Sequence, residues 1–285
     1  MKNFTLTVNE TELAKLHQIY KHHIVKDDNP HLLFLAVHNY INISAYKTGK
    51  VVLQGEDVSM ELIAIKQSLG RVDYEAMGSD EVGTGDVFGP IIVCCAYTSL
   101  DDIKFLESLN VRDSKNMNDQ RIIDIAPIIA KQLTHSLLIL TPDKYNDLAQ
   151  NGYNLNKIKA YLHNQAIVKT GAKINHEVPV IVDQFCTPQL YFNYLKDESL
   201  VYRKINFHPK AESVHLSVAA AAIIARYAFL VKIDQYSKKI GFDLLKGASK
   251  EVDELILKVH RKYKAKGLRL VAKMNYKNIT KQNLT

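Results

Sequence analysis

The sequence predicts an α/β protein: a mixed sheet covered by helices, preceded by a small α+β domain. Three observations predict it. Short apolar runs bounded by Gly, Asn and Pro recur as strands, they alternate beyond residue 71 with longer stretches of helical period, and the first 70 residues hold a separate set of both. With 285 residues the chain has material for a domain plus a smaller one, and the expected division is 1–70 and 71–285.

The first section opens with a helical pattern, NETELAKLHQIYKHH, entered through a cap at Thr7 or Asn9. Three strand-like runs follow, HLLFLAVHN, YINISAYKTG and KVVLQG, and a second amphipathic run, EDVSMELIAIKQSL, stops at Gly70. A unit of one helix, three strands and one helix is too small to hide both faces of its sheet. The exposed strand face carrying Tyr46, Lys47, Lys50 and Gln54 mixes an aromatic with polar and basic groups, as nucleic-acid surfaces do, and an ordinary solvated sheet face has the same make-up.

In the second section VDYEAMGSDEV reads as a strand, GTGDVFG as a tight turn and PIIVCCAYTS as a buried partner strand. HSLLILTP and EVPVIVDQF follow as interior strands, while DQRIIDIAPIIAKQL, NLNKIKAYLHNQAIVK and SVHLSVAAAAIIARYAFLVKI have helical spacing.

Composition narrows the function classes. Hydrophobic residues make up 47% and charged residues 24%, which is ordinary for a globular protein. No unbroken apolar stretch of membrane-spanning length is evident, and MKNFTLTVNETELAKL lacks the basic start and apolar middle of a signal peptide, so the expectation is a cytoplasmic monomer without a membrane partner. Cys94, Cys95 and Cys186 lie in apolar runs without metal or redox spacing and read as buried hydrophobes. The net charge is +7, yet residues 235–285 hold thirteen Lys or Arg against four Asp or Glu, so that segment alone carries +9. A polyanionic partner and a solvated helix face both fit that stretch.

The glycine-rich segment GSDEVGTGDVFGP, residues 78–90, places Asp80 and Glu81 side by side ahead of an apolar strand. Its spacing is not that of a dinucleotide loop, it leads into a strand rather than a helix, and no GxxxxGK[ST] loop occurs in the chain. The glycines fit a hairpin whose bare backbone lets a ligand approach closely. Asp183 closes the apolar run VPVIVDQF, where ligand sites form at strand carboxyl ends and where acids also stabilise turns. Glu212 precedes a long apolar helix, where the dipole favours an acid with or without another task. Consecutive strand residues point to opposite faces, so Asp80 and Glu81 serve one site only if the strand ends or bulges there. Four gathered carboxylates would repel one another unless cations neutralised them, and an oxygen-only set favours Mg²⁺ or Mn²⁺ over zinc. Two such ions would clamp a phosphodiester for in-line attack by water.

GSDEVGTGDVFGP resembles the first active-site motif of the type 2 ribonucleases H, and VRDSKNM, VIVDQF and AESVHLSVAAAAIIAR follow in that family's order. The resemblance extends to the HIII branch, because the turn reads G-T-G rather than G-R-G, the fourth acid is Glu212 rather than Asp, and AYKTGKVVLQG resembles part of a TATA-binding-protein-like N-terminal domain. It implies an RNase H-like fold and endonucleolytic cleavage of RNA in an RNA/DNA hybrid, leaving 3′-hydroxyl and 5′-phosphate ends. It also implies a two-metal Mg²⁺ or Mn²⁺ site held by Asp80, Glu81, Asp183 and Glu212, a Gly83–Thr84–Gly85 backbone that reads ribose 2′-hydroxyls, and phosphate contacts from Ser114 and Lys115. Two alternatives stay open: another RNase H-like nuclease acting on DNA, and a nucleic-acid-binding protein that cuts nothing.

Overall fold

Alternating burial starts the first strand earlier than the helical pattern suggests: in KNFTLT, Phe4 and Leu6 are buried and Thr5 is exposed. The computed structural model describes residues 2–56, 58–70, 73–109, 111, 117–209, 211 and 215–284, and divides into two compact units, Met1–Glu75 and Ala76–Thr285. The junction thus falls a few residues after the expected 70/71.

In the first unit, β1 (Lys2–Thr7), α1 (Glu10–Tyr20), β2 (Ile24–Val25), β3 (Leu32–His38), β4 (Ile41–Tyr46), β5 (Lys50–Gly55) and α2 (Ser59–Ser68) build an antiparallel sheet of order β1-β5-β4-β3-β2. It has five strands where the sequence suggested three. β2 is two residues long and β1 has two buried apolar positions, too few for periodicity to register. Asn9 caps α1 in a reciprocal box with Glu12, both bonds at 2.9 Å. Asn39 and Tyr40, both at positive φ, make the two-residue turn from β3 to β4, the backbone that matches strand twist. Leu13, Leu16 and Tyr20 of α1 and Leu62 and Ile65 of α2 are buried, with Phe4, Ile43, Val51 and Leu53 of the sheet.

The second unit contains β6 (Ala76–Val82), β7 (Ile91–Thr98), α3 (Leu100–Ser108), α4 (Asp119–Gln132), β8 (His135–Leu140), α5 (Pro142–Gln150), α6 (Leu155–Gly171), β9 (Val180–Asp183), α7 (Pro188–Tyr194), β10 (Ile205–His208), α8 (Leu216–Ile240), α9 (Lys250–Arg269) and α10 (Lys277–Thr280). The sheet is mixed, in the order β10-β9-β6-β7-β8: β6, β7 and β8 pair antiparallel, whereas β9 and β10 run parallel to β6. Cys94 and Cys95 are buried inside β7. Met77, Val93, Cys95, Val180 and Val182 pack with Ala166 and Ile167 of α6 on one face. On the other face lies α8, so close that a Cβ on Gly78 would stand 2.2 Å from the Val218 nitrogen. By length and composition α8 could cross a membrane, which the sequence reading did not register; here it is a core helix, buried through Leu216–Ala221 and at Ile223, Ile224, Ala225 and Phe229. Gly241, in the left-handed region at φ 67°, ends it.

Candidate active site

Strand register brings two of the acids together. β6 and β9 are parallel with Gly78 opposite Ile181 and Ser79 opposite Val182, so the next step sets Asp80 beside Asp183 at the carboxyl ends of both strands. Both belong to the α8 face: Asp80 lies two residues beyond Gly78, and Asp183 follows Val182, which packs against α6. A backbone N–H orients each carboxylate, Glu81 N–H donating to Asp80 Oδ1 at 2.8 Å and Ala211 N–H to Asp183 Oδ1 at 3.0 Å. Ala211 precedes Glu212 in the chain; Glu212, Ser114 and Lys115 lie outside the described residues.

Glu81 does not join this pair. β6 keeps regular pairing through Val82 opposite Ile92, so no bulge turns Glu81 toward Asp80, and alternation sends it to the α6 face. There its carboxylate pairs with the Lys159 ammonium and with His163 Nε2 at 2.9 Å. His163 is fully buried, sets Nδ1 2.8 Å from Ser79 Oγ, and stacks on Phe185, over which Lys159 Nζ stands at 4.0 Å. Burial by itself would raise the Glu81 carboxyl, but the His163 hydrogen bond and charge together with Lys159 outweigh it and hold it at about 2. The regular ladder thus sends the two acids to opposite faces of β6, and Lys159 and His163 hold the Glu81 carboxylate on the α6 side. Among the described residues no three His, Cys, Asp or Glu side chains stand close enough to hold a metal ion. The adjacent oxygen donors of Asp80 and Asp183 do fit a hard divalent cation, since two like charges side by side favour one between them.

The G-T-G turn follows directly. Gly83 has φ +90°, and a Cβ there would meet the Pro90 carbonyl oxygen at 2.1 Å, so the backbone itself demands glycine. Gly85 is different: it is exposed, and an added Cβ would find no atom within 4 Å. Nothing within this unit requires glycine at 85, whereas a ligand lying on the turn would. The C-terminal segment holds the turn from beneath. Tyr276 Oη donates to the Thr84 carbonyl at 2.7 Å, Gly247 N–H donates to Asp86 Oδ1 at 2.6 Å, and the buried Lys273 Nζ donates to the Asp86 and Gly89 carbonyls at 2.8 Å each.

In the first unit, Lys50 and Gln54 alternate outward along β5, Gln54 pairs with Asn42, and continuing that register sets half-buried Tyr46 across from Lys50 on the same face. Lys47 departs from the expectation: it lies in the turn and its Nζ donates to the Pro30 carbonyl at 2.8 Å, which ties it to a loop. Asn154 caps α6, accepting from the Lys157 N–H at 2.8 Å, and Arg226 ion-pairs with Asp119 at 2.8 Å. Lys159, Lys273 and Tyr276 escaped the sequence reading, whereas His163 reads there as a packed or solvated helix histidine and is buried. Lys159 and His163 are four apart on one helix and so share a face, a visible signal, but nothing local names Glu81 as their partner.

Comparison with known proteins places these features. The family model described as Ribonuclease HII matches residues 77–279, and the model described as Domain of unknown function (DUF3378) matches residues 3–64. The ribonuclease HIII of Phytoplasma mali (strain AT) is 49% identical over 284 residues, covering 99% of each chain. The chain belongs to the ribonuclease HIII family. Ribonuclease HIII of Bacillus pumilus (strain SAFR-032) is 36% identical, with 99% of this chain and 98% of the relative covered. The solved structure described as Bst-RNase HIII in complex with Mn²⁺ superposes with a TM-score of 0.72 at 36% identity, over 98% of this chain and 97% of that one. The likeness to ribonucleases HIII spans both units, so the chain is a ribonuclease H with the RNase H-like α/β fold and a preceding antiparallel-sheet domain.

Proposed function

We propose that this ribonuclease HIII cleaves the RNA strand of RNA/DNA hybrids endonucleolytically, leaving 3′-hydroxyl and 5′-phosphate ends. One observation carries the reading: Asp80 and Asp183 stand side by side at the carboxyl edge of the sheet, one strand end away from a turn whose exposed glycine, Gly85, the protein's own packing does not require. Asp80 and Asp183 would hold divalent metal, with Glu81 and Glu212 as the family's further acids. When bound, the metal supplies positive charge at the scissile phosphate and acidifies water. The carboxylate-only donors suit Mg²⁺ and Mn²⁺ alike, and the relative described in complex with Mn²⁺ supports the latter.

The chain's own residues do the rest. The backbone carbonyl of Thr84 and the carbonyls of Asp86 and Gly89 are engaged from beneath, which leaves the open side of Gly85 to a ribose. Ser114 and Lys115 would contact phosphate, and the Tyr46, Lys50 and Gln54 face of the first unit would hold the hybrid away from the cut, with Lys47 contributing charge nearby. The test incubates the protein with end-labelled RNA/DNA hybrid, duplex DNA and single-stranded RNA, each with Mg²⁺, with Mn²⁺ and with EDTA. Metal-dependent cutting of the hybrid's RNA alone is expected. Cutting of duplex DNA would move the assignment to another RNase H-like nuclease, and tight binding without any cutting would make this a binding protein.

A further inference from the structure

Tyr276 and Lys273 sit 192 and about 185 residues along the chain from the turn they touch. Their bonds are selective. Each donates to a main-chain carbonyl of the turn, of Thr84 for Tyr276 and of Asp86 and Gly89 for Lys273. The Lys273 N–H adds a third link through the Val87 carbonyl reached in the opposite sense, Lys273 N–H donating to Val87 O at 3.0 Å, and Gly89 N–H donates to Val271 O at 2.8 Å.

The peptide plane turns these links into an orienting device. In a trans peptide the carbonyl and the following N–H point in opposite directions, and no cis bond occurs among the described residues. Holding the Thr84 carbonyl against Tyr276 therefore aims the Gly85 N–H away from the Tyr276 hydroxyl, at a residue that is itself exposed. The 86–87 peptide obeys the same rule: Lys273 takes the Asp86 carbonyl and the Val87 N–H turns the other way, to the Gly247 carbonyl at 3.1 Å. Gly85 lacks a side chain of its own to fix its amide, and glycine has the widest choice of backbone conformations, so an external clamp is what selects one direction.

We infer that Tyr276, supported by Lys273, is a positioning residue for RNA recognition: it aims the Gly85 N–H at a ribose 2′-hydroxyl of the hybrid. The inference rests on the proposed function and deepens it. A tether that merely stabilised the fold would weaken every substrate equally. A clamp on one donor affects only substrates that present an acceptor to it.

The test uses the full chain carrying Asp80→Asn, so that binding is read without turnover, and measures affinity in EDTA for a hybrid, for the same duplex with DNA in both strands, and for hybrids with one ribonucleotide at a time replaced by its 2′-deoxy form. Tyr276→Phe keeps the ring against Tyr145 and removes only the hydroxyl. It is expected to weaken hybrid binding about fivefold, the worth of one hydrogen bond, and to leave duplex-DNA binding unchanged. At one 2′-deoxy position the parent should lose the same factor and Tyr276→Phe should add nothing further. Lys273→Met is expected to act in the same direction; thermal melting of both variants separates this from unfolding, and Tyr276→Phe suffices if Lys273→Met does not fold. Equal weakening on hybrid and DNA, or no weakening on either, would overturn the inference while leaving the hybrid nuclease intact. A parent with no preference for hybrid over DNA would overturn both.

Discussion

Gly83 and Gly85 look alike in sequence and do different things. At Gly83 the positive φ and the 2.1 Å approach of the Pro90 carbonyl make alanine a strain on the fold, so Gly83→Ala should cost at least about 1–3 kcal/mol in chemical denaturation. Gly85→Ala meets no neighbour, and its stability should stay within about 0.5 kcal/mol of the parent while hybrid affinity falls. A Gly85→Ala protein that binds hybrid as well as the parent would remove the turn from recognition. Asp80 is oriented by the Glu81 N–H and neighbours Asp183 across the β6–β9 register. Asp80→Asn is isosteric and should fold and bind hybrid. Cleavage should drop at least about a hundredfold, because metal charge at a phosphate is worth several kcal/mol; retained turnover would take Asp80 out of the chemistry.

Elements act here chiefly by what they hold still. The regular β6–β7 ladder decides that Asp80 and Glu81 diverge, and α6 then supplies Lys159 and His163 to match the Glu81 charge. The segment after α9 buries Lys273 completely, and that desolvation pushes its ammonium down to about 7, only partly opposed by Asp86. The sign follows from proton counting. Between about pH 7 and the ordinary lysine value near 10.4 the unfolded chain keeps the proton that the folded chain has released, so stability rises with pH across that window and the burial penalty is fully felt below it. Relative to Lys273→Met, the parent should gain stability between pH 7 and pH 10, by up to about 1.4 kcal/mol per unit, read from denaturant midpoints at several pH values. Parallel curves for the two proteins would show that the folded lysine keeps its proton. A neutral amine still has two hydrogens for the Asp86 and Gly89 carbonyls, so the clamp on the turn survives its loss of charge.

At the scale of the whole molecule, the family likeness covers both units, and the proposed role of the first is to hold the hybrid. Paired substitution of Lys50→Ala and Gln54→Ala on the open face of the first sheet should raise KM for hybrid several-fold and leave kcat within about twofold, the signature of lost uniform binding. An equal fall in kcat with KM unchanged would contradict a holding role. The cationic excess of residues 235–285 adds a second expectation: hybrid affinity should fall steeply as salt rises, because bound counterions are released from the phosphates.

Much was legible in local pattern, since strands and helices announce themselves by period: the apolar runs of β6 to β9, the helical spacing of α4, α6 and α8, and the stop at Gly70 all follow from residues within a turn or two of one another. β1 and β2 were not legible because so few of their residues are buried. The sequence by itself determined the inventory, namely two adjacent acids, a glycine turn before a buried strand, and a basic C-terminal segment. Only the tertiary structure decided their grouping. It paired Asp80 with Asp183 through parallel register, gave Glu81 to Lys159 and His163, and put Tyr276 beneath Thr84. The reason is physical: local pattern reports which face of an element is apolar, whereas register and side-chain pairing join residues as far apart as 82 and 192 positions, and those are settled by packing of the whole sheet against its helices.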